Sequence, residues 1–188
     1  IVSSVFGGKG QIVTLPYAYT KGYGAAVFSG LDDAEMPATV KDLFSHNTEK
    51  AKALLKEAGY PNGFKTSLVT STGSWGGVPN VDYFSIIKDM WSKIGIDLNI
   101  DIKETGTLTT ILTNRTHEAL APSSESPVAT FYLGIAYQGT GRYNLSMLDD
   151  PVINAALAKI RLAALTDLPT SMKMYKKDIT TYVLEQAY

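Results

Sequence analysis

The chain has 188 residues, of which 45% are hydrophobic and 19% charged, with a formal net charge of −1. These totals are ordinary for a globular chain with one substantial core, and they give no electrostatic reason to expect nucleic acid or an anionic membrane as partner. There is no cysteine, which excludes disulfides, thiolate metal sites and a cysteine nucleophile, and no apolar run of about 18 residues to span a membrane.

Ile1-Val2-Ser3-Ser4-Val5-Phe6 reads as the last turns of a helix already under way, closed by Gly7-Gly8-Lys9-Gly10. With no Met before it, the chain is expected to be a fragment or a processed form. The glycines do not make a phosphate loop, because Gln11 follows where Gly-Lys-Ser/Thr would be needed. Gln11 to Asn47 lacks periodicity and is expected to be irregular. Tyr17, Tyr19 and Tyr23 in it either line a ligand cleft or anchor the loop to the core.

The clearest pattern runs from Asn47 to Lys103. Asn47 is an N-cap with Glu49 in the first turn, and Ala51, Leu54, Leu55 and Ala58 recur on one helix face. Gly59 stops that helix and Pro61-Asn62-Gly63 turns the chain. Phe64 to Thr70 reads as a strand. Ser71 to Asn80, with three Gly and one Pro, reads as neither helix nor strand. A helix follows with Phe84, Ile87, Trp91 and Ile94 on its buried stripe, and Gly95 caps it. Ile96 to Lys103 alternates apolar and polar, the period of a half-buried strand. Strand, crossover helix and strand make a βαβ unit, which predicts parallel strands and a right-handed crossover. Ligands in open α/β sheets sit beyond the carboxyl ends of the strands, so the 71–80 loop is expected to be binding surface, ahead of a helix N-terminus that favours anions. The alternative is a long surface connection.

Leu108, Ile111 and Leu112 mark a short helix after Gly106, and Asn114-Arg115-Thr116 matches a glycosylation acceptor pattern that also arises by chance. His117 to Ala121 is read as a third strand, and Pro122 to Pro127 as a loop. Phe131 to Tyr137 is apolar and aromatic, and Gly139-Thr140-Gly141 is a flexible joint. Asp149-Asp150-Pro151 opens a helix whose apolar side continues through Ile153, Leu157, Ile160 and Leu165. Asp167 to Pro169 restarts the chain. Met172, Tyr175, Ile179, Val183 and Leu184 then mark a final amphipathic helix.

No catalytic motif stands out. His46 and His117 are not in a metal-ligand spacing, no Gly-x-Ser-x-Gly elbow occurs, and the Asp pairs 32–33 and 149–150 fall where turns and helix starts favour Asp. No cofactor is implied.

The segment from Asn47 to Phe64 (NTEKAKALLKEAGYPNGF) resembles the helix-turn-strand signature of the family 5 extracellular solute-binding proteins, the dipeptide, oligopeptide and nickel receptors of ABC importers. Trp91 to Ile96 resembles the next helix end and strand start of that family. Asn144-Leu145-Ser146 followed by Asp150-Pro151 resembles a later segment, and Val5 to Gly8 the entry into the second lobe. The resemblance implies an α/β fold of the type II periplasmic-binding-protein kind, a mixed sheet flanked by helices. It implies that residues 1–188 form a single lobe, the second of two, without the first lobe or the return strand. It also implies an extracytoplasmic location, often with a lipid anchor, permease subunits of an ABC importer as partners, and a peptide or another small solute as ligand.

On that reading recognition falls to Ser74 and Trp75, to Ser123, Ser124 and Glu125, and to Tyr137, Arg142 and Asn144. Trp75 would stack on the ligand and Arg142 pair with a carboxylate. Many peptide-binding members carry an acidic residue near a Trp in a segment resembling Leu120 to Phe131; this chain has Glu125 there but no Trp and no Asp. That departure opens the ligand class to sugars, opines and metal chelates. Two readings from other classes are a hydrolase or transferase with an unrecognised triad and a non-catalytic interaction module.

Overall fold

The computed structural model describes residues 26, 27, 29–75, 78–121 and 144–186, with Trp75 and Val78 described by their backbone alone. The expected helix end at 1–6, the three tyrosines of 17–23, the 122–127 loop and the aromatic 131–137 stretch lie outside the described residues. The chain divides into two compact units: Ile1–Gly10 with His46–Ser123, and Gln11–Ser45 with Ser124–Tyr188.

The first unit is built on the βαβ element. Helix α2 (Thr48–Glu57) starts as expected, with the Asn47 side chain accepting from the Lys50 amide at 2.9 Å. Gly59, at φ +91°, follows its last turn. The Tyr60 carbonyl accepts from the Gly63 amide at 3.0 Å and closes the turn into β1 (Phe64–Ser71). Helix α3 (Asn80–Ser92) crosses over to β4 (Ile96–Lys103). β1 and β4 pair in parallel from Phe64 opposite Ile96 to Ser71 opposite Lys103. The core of this unit is Leu68, Phe84 and Leu98, with Tyr83, Ile87, Trp91 and Ile100 packed around them. Period-2 strands and a period-3.6 helix thus bring their apolar sides onto one another, which is the reason the segment folds this way.

Three expectations change here. No residue of α2 is buried: Ala51 and Leu55 are half-buried and Leu54 is 48% exposed. An amphipathic period fixes which side of a helix is apolar but supplies no partner for it. Within the 71–80 stretch, β2 (Ser74–Trp75) and β3 (Val78–Pro79) pair antiparallel, so the stretch is a small hairpin and not structureless. The signal was Gly76-Gly77 between the two pairs, the composition of a two-residue hairpin connection. The third strand reduces, among the described residues, to a parallel bridge at Leu120, whose amide donates to Ser67 and whose carbonyl accepts from Val69. Helix α4 (Thr105–Asn114) follows β4 with Leu108 buried, as its spacing predicts.

The second unit is helical among its described residues. α1 (Ala38–Leu43) lies within the stretch expected to be irregular. The Asp150 carboxylate caps α5 (Pro151–Ala164), accepting from the Val152 amide at 2.7 Å and the Ile153 amide at 3.1 Å. Asp167 caps α6 (Leu168–Tyr175) through the Thr170 amide. A π-helical segment, Lys176–Thr180, joins α6 to α7 (Thr181–Gln186). Ile153, Leu157 and Ile160 pack with Val27, Met172, Tyr175, Ile179 and Val183 in one core, and Leu184 with Met36 and Val40 in a smaller one. Leu165, expected on the apolar side of α5, lies beyond the helix end and is 81% exposed. The π turn was not legible in the apolar pattern, because one widened turn leaves the i to i+4 steps from Tyr175 to Ile179 and Val183 intact.

Candidate ligand-binding site

The carboxyl end of the parallel strands is the place where a βαβ unit offers loops and helix starts to a ligand. β1 ends on Thr70 and Ser71, both buried, with the Thr70 hydroxyl lacking a hydrogen-bond partner. Beyond them the chain is held by Asn80. Its side-chain amide donates to the Ser71 carbonyl at 3.2 Å, and its backbone amide donates to the Gly73 carbonyl at 2.9 Å. This clamp draws both ends of the 72–79 stretch together and places the β2–β3 hairpin at the rim of the sheet. Sequence reasoning passed over Asn80, which read only as the end of a loop. The clue was its type: Asn at a helix start has a short amide within reach of nearby backbone.

The two helix starts at this rim differ. α4 is closed by its own N-cap, because the Glu104 carboxylate accepts from the Gly106 amide at 2.8 Å and the Thr107 amide at 3.2 Å. Those hydrogen bonds, the Gly106 one first, hold the Glu104 carboxyl below its ordinary range. α3 begins after Pro79 with no side-chain cap. Beside these ends, Lys103 and Asp101 form an ion pair at 3.0 Å.

Ser74 lies exposed on β2, and Trp75 pairs through its backbone with Val78. Both therefore belong to the rim hairpin. Ser123, Ser124, Glu125, Tyr137 and Arg142 lie outside the described residues. Asn144, in the second unit, is fully buried. Its side-chain amide donates to the Leu148 carbonyl at 2.7 Å, and its oxygen accepts from the Leu148 amide at 3.0 Å and the Ser146 hydroxyl at 3.2 Å. That side chain closes the 144–148 loop ahead of α5, where Met147 takes φ +56°.

Among the described residues no cluster of three or more His, Asp or Glu side chains forms a metal site. His46 is exposed. His117 lines a cavity of about 190 Å³ with Ser67, Val69, Asp101 and Thr116, and its Nδ1 is buried without a hydrogen-bond partner.

Residues 1–140 match the family of bacterial extracellular solute-binding proteins, family 5, over its middle region. No curated protein matches the sequence. Among solved structures, the periplasmic binding protein AgaA of A. tumefaciens R10, in complex with agropinic acid, is 27% identical, with a TM-score of 0.75 over 99% of this chain and 35% of its own. The ABC transporter-associated periplasmic binding protein DppA of Helicobacter pylori, in complex with the peptide STSA, is 22% identical, with a TM-score of 0.69 over 99% of this chain and 34% of its own. HbpA2 of Haemophilus parasuis is 27% identical, with a TM-score of 0.64 over 81% of this chain and 30% of its own. The chain thus spans about a third of the length of these structures.

The expected α/β periplasmic-binding-protein fold therefore stands, and the family is extracytoplasmic and made of binding proteins, which removes the hydrolase and transferase readings. From its match over residues 1–140 and its α/β fold, this chain is a member of the family 5 bacterial extracellular solute-binding proteins.

Proposed function

We propose that the whole protein is the solute receptor of an ABC importer, and that this chain is one lobe of it, the second of two. The family match over residues 1–140 carries the reading. The rim hairpin held by Asn80 beyond β1 supports it, since such a rim is where this kind of sheet presents ligand groups. Permease subunits are the partners, and a lipid anchor at the outer face of the cytoplasmic membrane is the proposed attachment.

The ligand is a peptide or another small solute. The acid bound by AgaA and the peptide bound by DppA support a ligand carrying a carboxylate. Arg142 is the group proposed to meet it, since guanidinium and carboxylate pair through two parallel hydrogen bonds. Trp75 stacks on the ligand, and Ser74, Ser123, Ser124 and Tyr137 hydrogen-bond to it. Glu125 takes an amine where the ligand has one. Asn144 contributes through the 144–148 loop that its side chain closes.

The test is a thermal-shift screen of the full-length protein against short peptides, opines, sugars and metal chelates. A ligand at a hundred times its Kd stabilises by about 2.7 kcal/mol, which is several degrees of melting temperature. At least one class is expected to give that shift. A flat response across all four, with solute uptake unchanged in cells lacking the gene, overturns the proposal.

A further inference from the structure

β1 has neighbours on both sides: β4 along its whole length and Leu120 at the bridge to Leu68. Among the described residues β4 pairs with β1 alone, so its other side is an edge of the described sheet. An edge strand presents a row of backbone N–H and C=O groups that another strand can take up. Asp97 and Asn99 on it are exposed, and Ile102 is 44% exposed.

The side-chain order along β4 is self-complementary. Asp97, Asn99, Asp101 and Lys103 share one face, and Ile96, Leu98, Ile100 and Ile102 the other. If the strand meets a copy of itself antiparallel with Ile100 opposite Ile100, Asp97 faces Lys103 at both ends. Asn99 then faces Asp101 and Leu98 faces Ile102, while Ile96 falls opposite Glu104, just past the strand end. Moving the centre to Asn99 sets Asp97 against Asp101, and moving it to Asp101 sets two Asp against each other. Centring on Ile102 opposes Asp101 to Lys103, but it leaves only the last turn of the pleat overlapping. A shift by a single residue brings polar faces onto apolar ones. Directly opposed like charges destabilise a pair and opposite charges favour it. Of the present partners of these charges, Lys65 and Asp97 at 3.5 Å are an exposed pair and Asp101 and Lys103 at 3.0 Å a half-buried one with both side chains still partly open to solvent.

We propose that β4 pairs antiparallel with β4 of a second copy of this chain, about a two-fold axis at Ile100, extending the sheet across the two copies. The two-fold makes each copy present the same surface to the other, so the contact closes at a dimer.

The test is sedimentation over a concentration series, with charge reversals made singly and together. The unmodified chain is expected to show a reversible dimer below about 1 mM. Asp97→Lys sets Lys against Lys and Lys103→Asp sets Asp against Asp, so each alone is expected to weaken association at least about tenfold. The double variant restores opposed opposite charges and is expected to recover the dimer. The chain has no cysteine, so a single introduced one gives a second readout. Ile100→Cys is expected to cross-link two copies when diamide takes up the two thiol hydrogens. Ile102→Cys is not, because its own copy lies about 13 Å away in this register. A monomer up to about 1 mM, a dimer indifferent to the single reversals, or equal cross-linking at both positions overturns the proposal. If a reversal costs the fold, as circular dichroism would show, the cysteine pair decides alone.

Discussion

A side-chain carbon placed on Gly63 would stand 1.8 Å from the carbonyl oxygen of Gly95. The two glycines open β1 and β4, where Phe64 and Ile96 begin the parallel ladder, and both have positive φ, +75° and +90°. The backbones meet without side chains between them, and this contact sets where the two strands start. Gly63→Ala is therefore expected to destabilise the first unit by at least about 2 kcal/mol, from left-handed backbone strain and a clash that only main chain can relieve. Gly59→Ala is the comparison. Gly59 has φ +91° with open space around it, so only the strain of about 1 kcal/mol applies. Both tryptophans, Trp75 and Trp91, belong to the first unit, so denaturation followed by tryptophan fluorescence reads it directly.

Burial separates leucines that look alike in the sequence. Leu98 and Leu157 are enclosed, while Leu165 is 81% exposed. Leu98→Ala and Leu157→Ala are each expected to cost about 2–5 kcal/mol, and Leu165→Ala to stay within about 0.5 kcal/mol. Chemical denaturation of the three variants checks the order.

Asp150 joins two elements of the second unit. One carboxylate oxygen caps α5 and the other accepts from the Tyr182 hydroxyl at 3.1 Å. Asp150→Ala is expected to lower stability by about 1–2 kcal/mol, since it removes both the helix cap and the hydrogen bond from Tyr182. A double-mutant cycle with Tyr182→Phe, read by circular dichroism, measures how much of that loss belongs to the Tyr182 hydrogen bond.

Three carboxylates have folded-state pKa values below their ordinary ones. Asp33 is lowered by the hydrogen bond from Lys176, Asp167 by the Thr170 hydroxyl, and Glu104 by the Gly106 amide. A depressed folded pKa contributes stability that is fully present above the ordinary values of 3.8 and 4.5 and is lost as pH falls through the lower folded ones. Stability from these groups is thus expected to be flat near neutrality and to fall only below about pH 4.5. Each group is near the surface, so each contribution is small. Asp33→Asn should make the acid limb shallower, which denaturation over a pH series checks.

The rim hairpin depends on Asn80. Asn80→Ala removes the donor to Ser71 and is expected to weaken ligand binding about tenfold while costing about 1 kcal/mol of stability. Trp75→Ala and Arg142→Ala are expected to weaken it at least as much. Isothermal calorimetry on the full-length protein, with a ligand found by the thermal screen, checks all three.

The sequence by itself determined what local rules govern. Asn47, Asp150 and Asp167 cap helices because a short acceptor side chain reaches the first free amides, whatever lies further off. The βαβ unit followed from two periods and a glycine stop, and the family from the 47–64 segment. The rim hairpin was not read from the sequence, where 71–80 is neither helix nor strand, although Gly76-Gly77 stands between Trp75 and Val78. What only the tertiary structure decided depends on which surface meets which. α2 keeps an apolar stripe that nothing described buries, Leu165 points outward, and a π turn interrupts the last helix without disturbing its pattern. The strand at His117 to Ala121 shows, among the described residues, one bridge. Asn80 became the clamp of the rim only once β1 and α3 stood side by side. A period tells a residue which side of its own element it is on; whether another element arrives to cover that side is settled by contacts far along the chain.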